Sequence, residues 1–173
     1  MAKVNSAIGI EYNSHEIRAV ELTKGSDGIK VTAFEKEDFE PNVIANGLIS
    51  DSALFNVALT DMLNRGKFNT NSPIVVGVNN ENVIMRYATF PKVPDDKLRG
   101  VITMRAQDFI PVPVADLGLD FVVIDETTDD DDQPALNVLL VGARNMMLQN
   151  LVQNFEEAKL QVVDIDSSFL AWT

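Results

Sequence analysis

Apolar and polar residues alternate at the start of the chain. Ile8, Ile10 and Tyr12 alternate with Gly9 and Glu11, and Ile17–Leu22 is rich in β-formers. A period of two marks half-buried strands, so residues 8–22 read as two strands around a tight turn at Asn13-Ser14. Asn suits that turn because it accepts a positive φ more readily than most residues. Gly25-Ser26-Asp27-Gly28 is a second turn and Ile29–Phe34 a third strand, so residues 7–35 form an antiparallel meander. Glu35–Glu40 leads into a loop around Pro41 and Gly47. The period then changes. Phe55, Leu59, Met62 and Leu63 recur at helical spacing behind Asp51 or Ser52 as cap. Gly66 is placed to end that helix in a left-handed conformation. Ile74-Val75-Val76-Gly77-Val78 is a continuous apolar run, the pattern of a strand covered on both faces. A meander, a crossover helix and a buried strand make an α/β sheet, with the new strand parallel to its neighbour.

The rhythm differs beyond Asn79-Asn80. Val83, Met85 and Tyr87 alternate with Ile84, Arg86 and Ala88 in a strand that Pro91 and Pro94 end. Asp95 or Asp96 starts a helix with Leu98, Val101, Ile102, Ala106 and Phe109 on one face, and Pro111 and Pro113 stop it. Leu119–Ile124 and Leu136–Ala143 are two further strands around an acidic tip, Asp129–Asp132. Strand, helix, strand, strand predicts a small antiparallel sheet with one covering helix. Leu148, Leu151, Val152 and Phe155 mark another amphipathic helix, and Gln161–Ile165 a last strand. Ser167–Thr173 is apolar and reads as a cut end or as one docked on another surface.

Composition narrows the function classes. The chain has 173 residues, 46% hydrophobic and 23% charged, which is globular rather than disordered. It has no cysteine, so disulfides, thiolate metal sites and cysteine nucleophiles are excluded. A net charge of −12 disfavours nucleic acid and anionic lipid and favours a basic peptide. No apolar run approaches the ~18 residues of a membrane span, and the start lacks the h-region of a signal peptide. A cytoplasmic protein is expected.

Two readings of the first hairpin stay open from the residues alone. A polar turn between apolar strands can present backbone N–H groups and a hydroxyl to a phosphate; it can equally be an ordinary hairpin. His15 is the one histidine and has no partner triad around it, which suits an exposed turn residue. Asp129–Asp132 lacks the Gly and terminal Glu of a calcium loop and reads as a solvated tip. No residue is assigned a catalytic or metal-binding role.

Several short motifs in this order resemble one family. Ile8–Leu22 stands where that family has its first phosphate loop, and Gly47-Leu48-Ile49-Ser50-Asp51 resembles the segment before its first helix. Phe90-Pro91-Lys92, Asp108–Pro113, Leu119-Asp120-Phe121 and Val163–Asp166 resemble further motifs. The resemblance is to PilM, the actin-like cytoplasmic family of type IV pilus assembly related to FtsA. It covers essentially the whole chain and the N-terminal half of the family's usual length. It implies an α/β fold: an actin-like (ribonuclease-H-like) subdomain from residues 1–79 and 161–173, with a strand-helix-strand-strand interaction module inserted at 80–160.

The resemblance also implies sites. Glu11, Asn13, Ser14, His15 and Arg18 stand at the positions of half an ATP phosphate site, with Mg in the full-length protein. Glu11 replaces an Asp, Asn13 a Gly, and Glu16 adds negative charge where an anion would sit. Arg105 stands where a Glu is expected. The expectation is that this chain neither hydrolyses ATP nor binds it tightly. The family's partner is a cytoplasmic peptide of the membrane protein PilN, lying between two subdomains. Arg86, Tyr87, Lys92, Arg105 and Phe109 are the residues expected there. The function implied is a cytoplasmic scaffold held at the inner membrane through a PilN-like tail. Other pilus platform or motor proteins are further partners, and Phe169, Leu170 and Trp172 suggest self-association. Two alternatives stand beside it: the N-terminal half of an ATPase whose nucleotide state gates assembly, and the cytoplasmic part of a secretion platform.

Overall fold

The computed structural model describes residues 5–169. Its contacts divide the chain into two compact units, residues 1–81 with 149–173, and 82–148. In the first unit β1 (Ser6–Tyr12), β2 (Glu16–Gly25) and β3 (Gly28–Asp38) form the antiparallel meander. With β4 (Ile44–Ala45) and β5 (Leu48–Ile49) as a separate hairpin, β6 (Ile74–Val78) then pairs parallel to β1. A further strand, Val162–Ser167, lies parallel to β6, so the sheet reads, from that edge, last strand, β6, β1, β2, β3.

Period-two burial decides the faces. Ile8, Ile10, Tyr12, Ile17, Ala19, Ile74, Val76 and Val78 are all buried. The α1 helix (Ser52–Arg65) buries Phe55, Leu59, Met62 and Leu63. Phe55 is the hub of this layer: its ring centroid lies 5.7 Å from Tyr12, 5.7 Å from Phe39 and 5.9 Å from Phe155. Burial pushes the Tyr12 phenol up to about 12. On the other face of the sheet Leu22, Val31 and Phe34 are exposed.

The ends of α1 show where local reading succeeds and where it fails. The Asp51 carboxylate caps the helix by accepting from the Leu54 N–H at 2.9 Å. Gly66 does not take the left-handed conformation expected of it; its φ is −75°. Lys67 does, at φ 56°. Phe68 N–H then reaches the Leu63 carbonyl at 3.0 Å and Lys67 N–H that of Asn64 at 3.1 Å, the paired bonds of a Schellman end. Gly66 is needed for space instead, because a Cβ there would overlap the Phe68 ring.

The stretch read as a loop around Gly47 holds the β4–β5 hairpin. Asn46 (φ 51°) and Gly47 (φ 70°) both adopt positive φ, as a two-residue type I′ turn requires. Asn150, half-buried, donates to the Ile49 carbonyl (3.0 Å) and accepts from its N–H (2.8 Å).

In the second unit β7 (Val83–Pro91), β8 (Leu117–Thr128) and β9 (Pro134–Arg144) form an antiparallel sheet with β9 central. The α2 helix (Asp95–Arg105) begins at Asp95, with Asp95 and Asp96 in its first turn. Leu98, Ile102 and Ala106 pack with Ala88, Phe90, Val138 and Leu140 into one core. Gln107 orders the proline-rich segment after it: its amide donates to the carbonyls of Ile110 and Val112 and accepts from the Val114 N–H. The α3 helix (Asn145–Glu157) follows β9, and β10 (Val162–Ser167) is the last sheet strand. The insert expected over 80–160 and the compact unit 82–148 differ at the C-terminal end, because Phe155 of α3 packs on Phe55 in the first unit.

Candidate functional site

The β1–β2 turn is built by the Asn13 side chain. Its Oδ1 accepts from the backbone N–H groups of His15 (2.8 Å) and Glu16 (3.0 Å), while Asn13 N–H donates to the Glu16 carbonyl (3.0 Å). This is an Asx turn. The positive φ expected at Asn13 is not used; positive φ occurs elsewhere, at Asn42, Asn46, Lys67, Asp132 and Lys159 among non-glycine residues described. Ser14 and His15 are exposed, and the His15 carbonyl accepts from Phe39 N–H at 2.7 Å.

Charges beside the turn are already paired. Glu16 reaches Arg18 Nε at 2.8 Å and Lys36 Nζ at 3.0 Å. The Lys36 hydrogen bond first, and Arg18 with it, holds the Glu16 carboxyl below the usual carboxylate range; Lys36 is raised in return.

The five residues expected at a phosphate site do not share one pocket. Asn13 and Ser14 line a cavity of about 290 Å³ with Tyr12, Asn46, Gly47 and Asn79. Glu11 and Arg18 are cross-strand partners. They line a wider depression of about 580 Å³ with Gly9, Gly77, Asp166 and Ser168. Alternation along a strand would give Asn13 the face of Glu11, but β1 ends at Tyr12 and Asn13 lies in the turn, its side chain bonded to the His15 and Glu16 N–H groups. Asn46-Gly47 is the wall that sequence reasoning missed, although that dipeptide between apolar residues is a strong hairpin signal.

The nucleotide implied by the resemblance can be tested against this geometry. A phosphate at the turn needs free N–H donors and uncommitted positive charge. The His15 and Glu16 N–H groups donate to Asn13, and Arg18 pairs with Glu16. The residues present do not fit a nucleotide phosphate at this turn.

The five residues expected at the partner site are also spread out. Tyr87, 76% exposed, lies on the opposite side of β7 from the buried Ala88 and Phe90. Arg86 is exposed and donates to the Met85 carbonyl at 2.8 Å. Lys92 pairs with Glu126 at 2.6 Å and Arg105 with Asp108 at 3.7 Å. The Phe109 ring lies 5.3 Å from that of Phe90 and belongs to the edge of the core. Thus Tyr87 and Phe109 attend to different faces of the small sheet. Arg99, which sequence reasoning passed over, pairs with Asp120 at 2.8 Å and sits 5.2 Å over the Phe121 ring.

A mixed sheet in the order β10-β6-β1-β2-β3, with a three-stranded unit entering between β6 and α3, defines an α/β protein of the actin-like class. A chain of the PilM–PilN type IV pilus biogenesis complex shares this fold at TM-score 0.80 and 21% identity, over 95% of this chain and 48% of that one. The cytoplasmic domain of EpsL, an inner-membrane component of the type II secretion system of Vibrio cholerae, shares it at TM-score 0.61 and 14% identity. That match covers 96% of this chain and 58% of the other, so the chain spans about half the length of these structures. The family model for type IV pilus assembly protein PilM matches residues 9–172, and the chain belongs to that family.

Proposed function

We propose that this chain is an assembly component of a type IV pilus system that acts by binding, recruited to the inner membrane through the cytoplasmic tail of a PilN-like protein. The observation that carries the reading is the family match over residues 9–172. The fold held in common with a chain of a PilM–PilN complex supports it. Among the described residues no helix is long and apolar enough to cross a membrane.

Within residues 82–148 the contact surface best supported is the outer face of the small sheet. Tyr87, Val122 and Ile124 are all exposed there, and Tyr87 and Ile124 line one depression with Thr89 and Asn137. An exposed aromatic beside aliphatic residues is the usual core of a protein contact. Asp125, Glu126 and Asp129–Asp132 follow along β8 and its turn, so a tail carrying Lys or Arg is favoured, chiefly in its association rate.

The test is a fluorescence-polarisation titration of the full-length protein with the N-terminal tail of its PilN-like partner. Saturable binding is expected, with Tyr87→Ala weakening it about tenfold or more and Arg105→Glu leaving it unchanged. Binding lost in Arg105→Glu and kept in Tyr87→Ala would move the contact to the helix side. No saturable binding at all would overturn the reading.

A further inference from the structure

We infer that Asn13 supplies its own carboxamide in place of a phosphate oxygen, so that the β1–β2 hairpin is closed without nucleotide and partner capture by this protein is nucleotide-independent. The inference rests on family membership for the place of the loop and on hydrogen bonds for its state.

Backbone N–H groups at a turn bind an anion when they converge on one point and nothing inside the protein accepts from them. Here the His15 and Glu16 N–H groups do converge, at 2.8 and 3.0 Å, and the point is Asn13 Oδ1. A phosphate oxygen would have to expel that side chain and replace both bonds. The Asn13 N–H is held by the Glu16 carbonyl, and the His15 carbonyl by Phe39 N–H, so the turn is anchored on both sides. Displacing the side chain therefore brings no relaxation of the backbone to offset the loss.

Charge acts in the same direction. The cations nearest the turn, Arg18 and Lys36, both pair with Glu16, and Lys36 also with Asp38 at 3.8 Å, so two carboxylates balance two cations. An incoming phosphate meets a carboxylate whose charge is already matched, and it gains attraction only by breaking those pairs. Exposed ion pairs of this kind are individually small, but here they remove the positive potential that would have drawn the anion in. Glu11 and Arg18, meanwhile, line a different depression from Asn13 and Ser14.

A plain Asx turn with no bearing on nucleotide makes a different forecast from a substituted phosphate loop. The variants Asn13→Gly, Asn13→Asp and Asn13→Gly with Glu16→Ala separate the two in the full-length protein. Amide hydrogen exchange of His15 and Glu16 is followed without nucleotide, and Mg-ATP is titrated by calorimetry. The wild type should show both amides protected and no saturable Mg-ATP binding below about 1 mM. Asn13→Asp keeps an acceptor in place and should keep the protection; Asn13→Gly should lose it. The double variant should bind Mg-ATP at least about tenfold more tightly than the wild type. Wild-type binding with a dissociation constant below about 100 µM would overturn the inference, as would unchanged exchange in Asn13→Gly or no gain in the double variant. A PilN-like tail that binds only in the presence of Mg-ATP would overturn the nucleotide independence while leaving the partner assignment standing.

Discussion

Phe55 is fully buried and touches three other aromatic rings, so its removal opens a cavity between the sheet and its helices. Phe55→Ala is expected to cost about 3–5 kcal/mol in chemical denaturation, by lost burial plus the void left behind. Ionisable residues make a pH forecast of definite sign. The carboxyl of Glu16 is lowered chiefly by Lys36 and that of Glu35 chiefly by Arg65. A lowered folded-state pKa means that the unfolded chain takes up protons first as pH falls. Stability from these pairs is therefore present above the ordinary carboxylate range and is lost as pH falls from there through the lowered folded-state values. Thermal midpoints between neutral pH and about pH 3 should fall less steeply in Glu16→Gln than in the wild type. At the other extreme, an ultraviolet titration should find that one of the two tyrosines resists ionisation up to about pH 12, and that Tyr12→Phe removes this behaviour.

At the scale of elements, the hairpin β4–β5 depends on a residue a hundred positions away. Asn150 meets both backbone groups of Ile49, which lies at the end of an isolated two-stranded ribbon too short to stand alone. Asn150→Ala leaves a half-buried donor and acceptor unmatched. It is expected to lower stability by about 1–3 kcal/mol and to speed exchange of the Ile49 amide. Asn46-Gly47 announces the turn locally, but nothing near it in sequence announces Asn150. The end of α1 makes a related point. Arg65 reaches Glu35 at 3.1 Å, Glu37 at 2.6 Å and the Lys36 carbonyl at 2.6 Å. The helix thereby ties down the outermost strand of the sheet and occupies one of its edge carbonyls, a common need of edge strands.

The whole molecule joins two units with separate cores. The second is entered and left at neighbouring points, since Arg144 N–H donates to the Asn82 carbonyl at 3.0 Å. Its core draws on both the sheet and α2. Residues 82–148 expressed alone should therefore unfold in a single cooperative thermal transition followed by circular dichroism; a featureless melt would show that this unit needs the rest of the chain. The stickiness expected of the chain end bears on Phe169, which is exposed, while Leu170 and Trp172 lie outside the described residues.

Periodicity alone determined most of the architecture: three alternating strands, an amphipathic helix, an apolar parallel strand, and then a strand-helix-strand-strand block. These are local consequences of which faces must be buried, and local spacing records them. Six short motifs taken together and in order, from Ile8–Leu22 to Val163–Asp166, carried the resemblance to the PilM family that the match over residues 9–172 bears out. Only the tertiary structure decided how single residues are used. Spacing put Glu11 and Asn13 two positions apart, but the turn that follows β1 sends Asn13 back onto its own backbone and leaves Glu11 on the far face. The resemblance grouped Tyr87 with Phe109, whereas the pleat of β7 and the packing of Phe109 on Phe90 separate them. A hydrogen bond depends on where two groups meet in space, and hydrophobic period carries no record of that meeting.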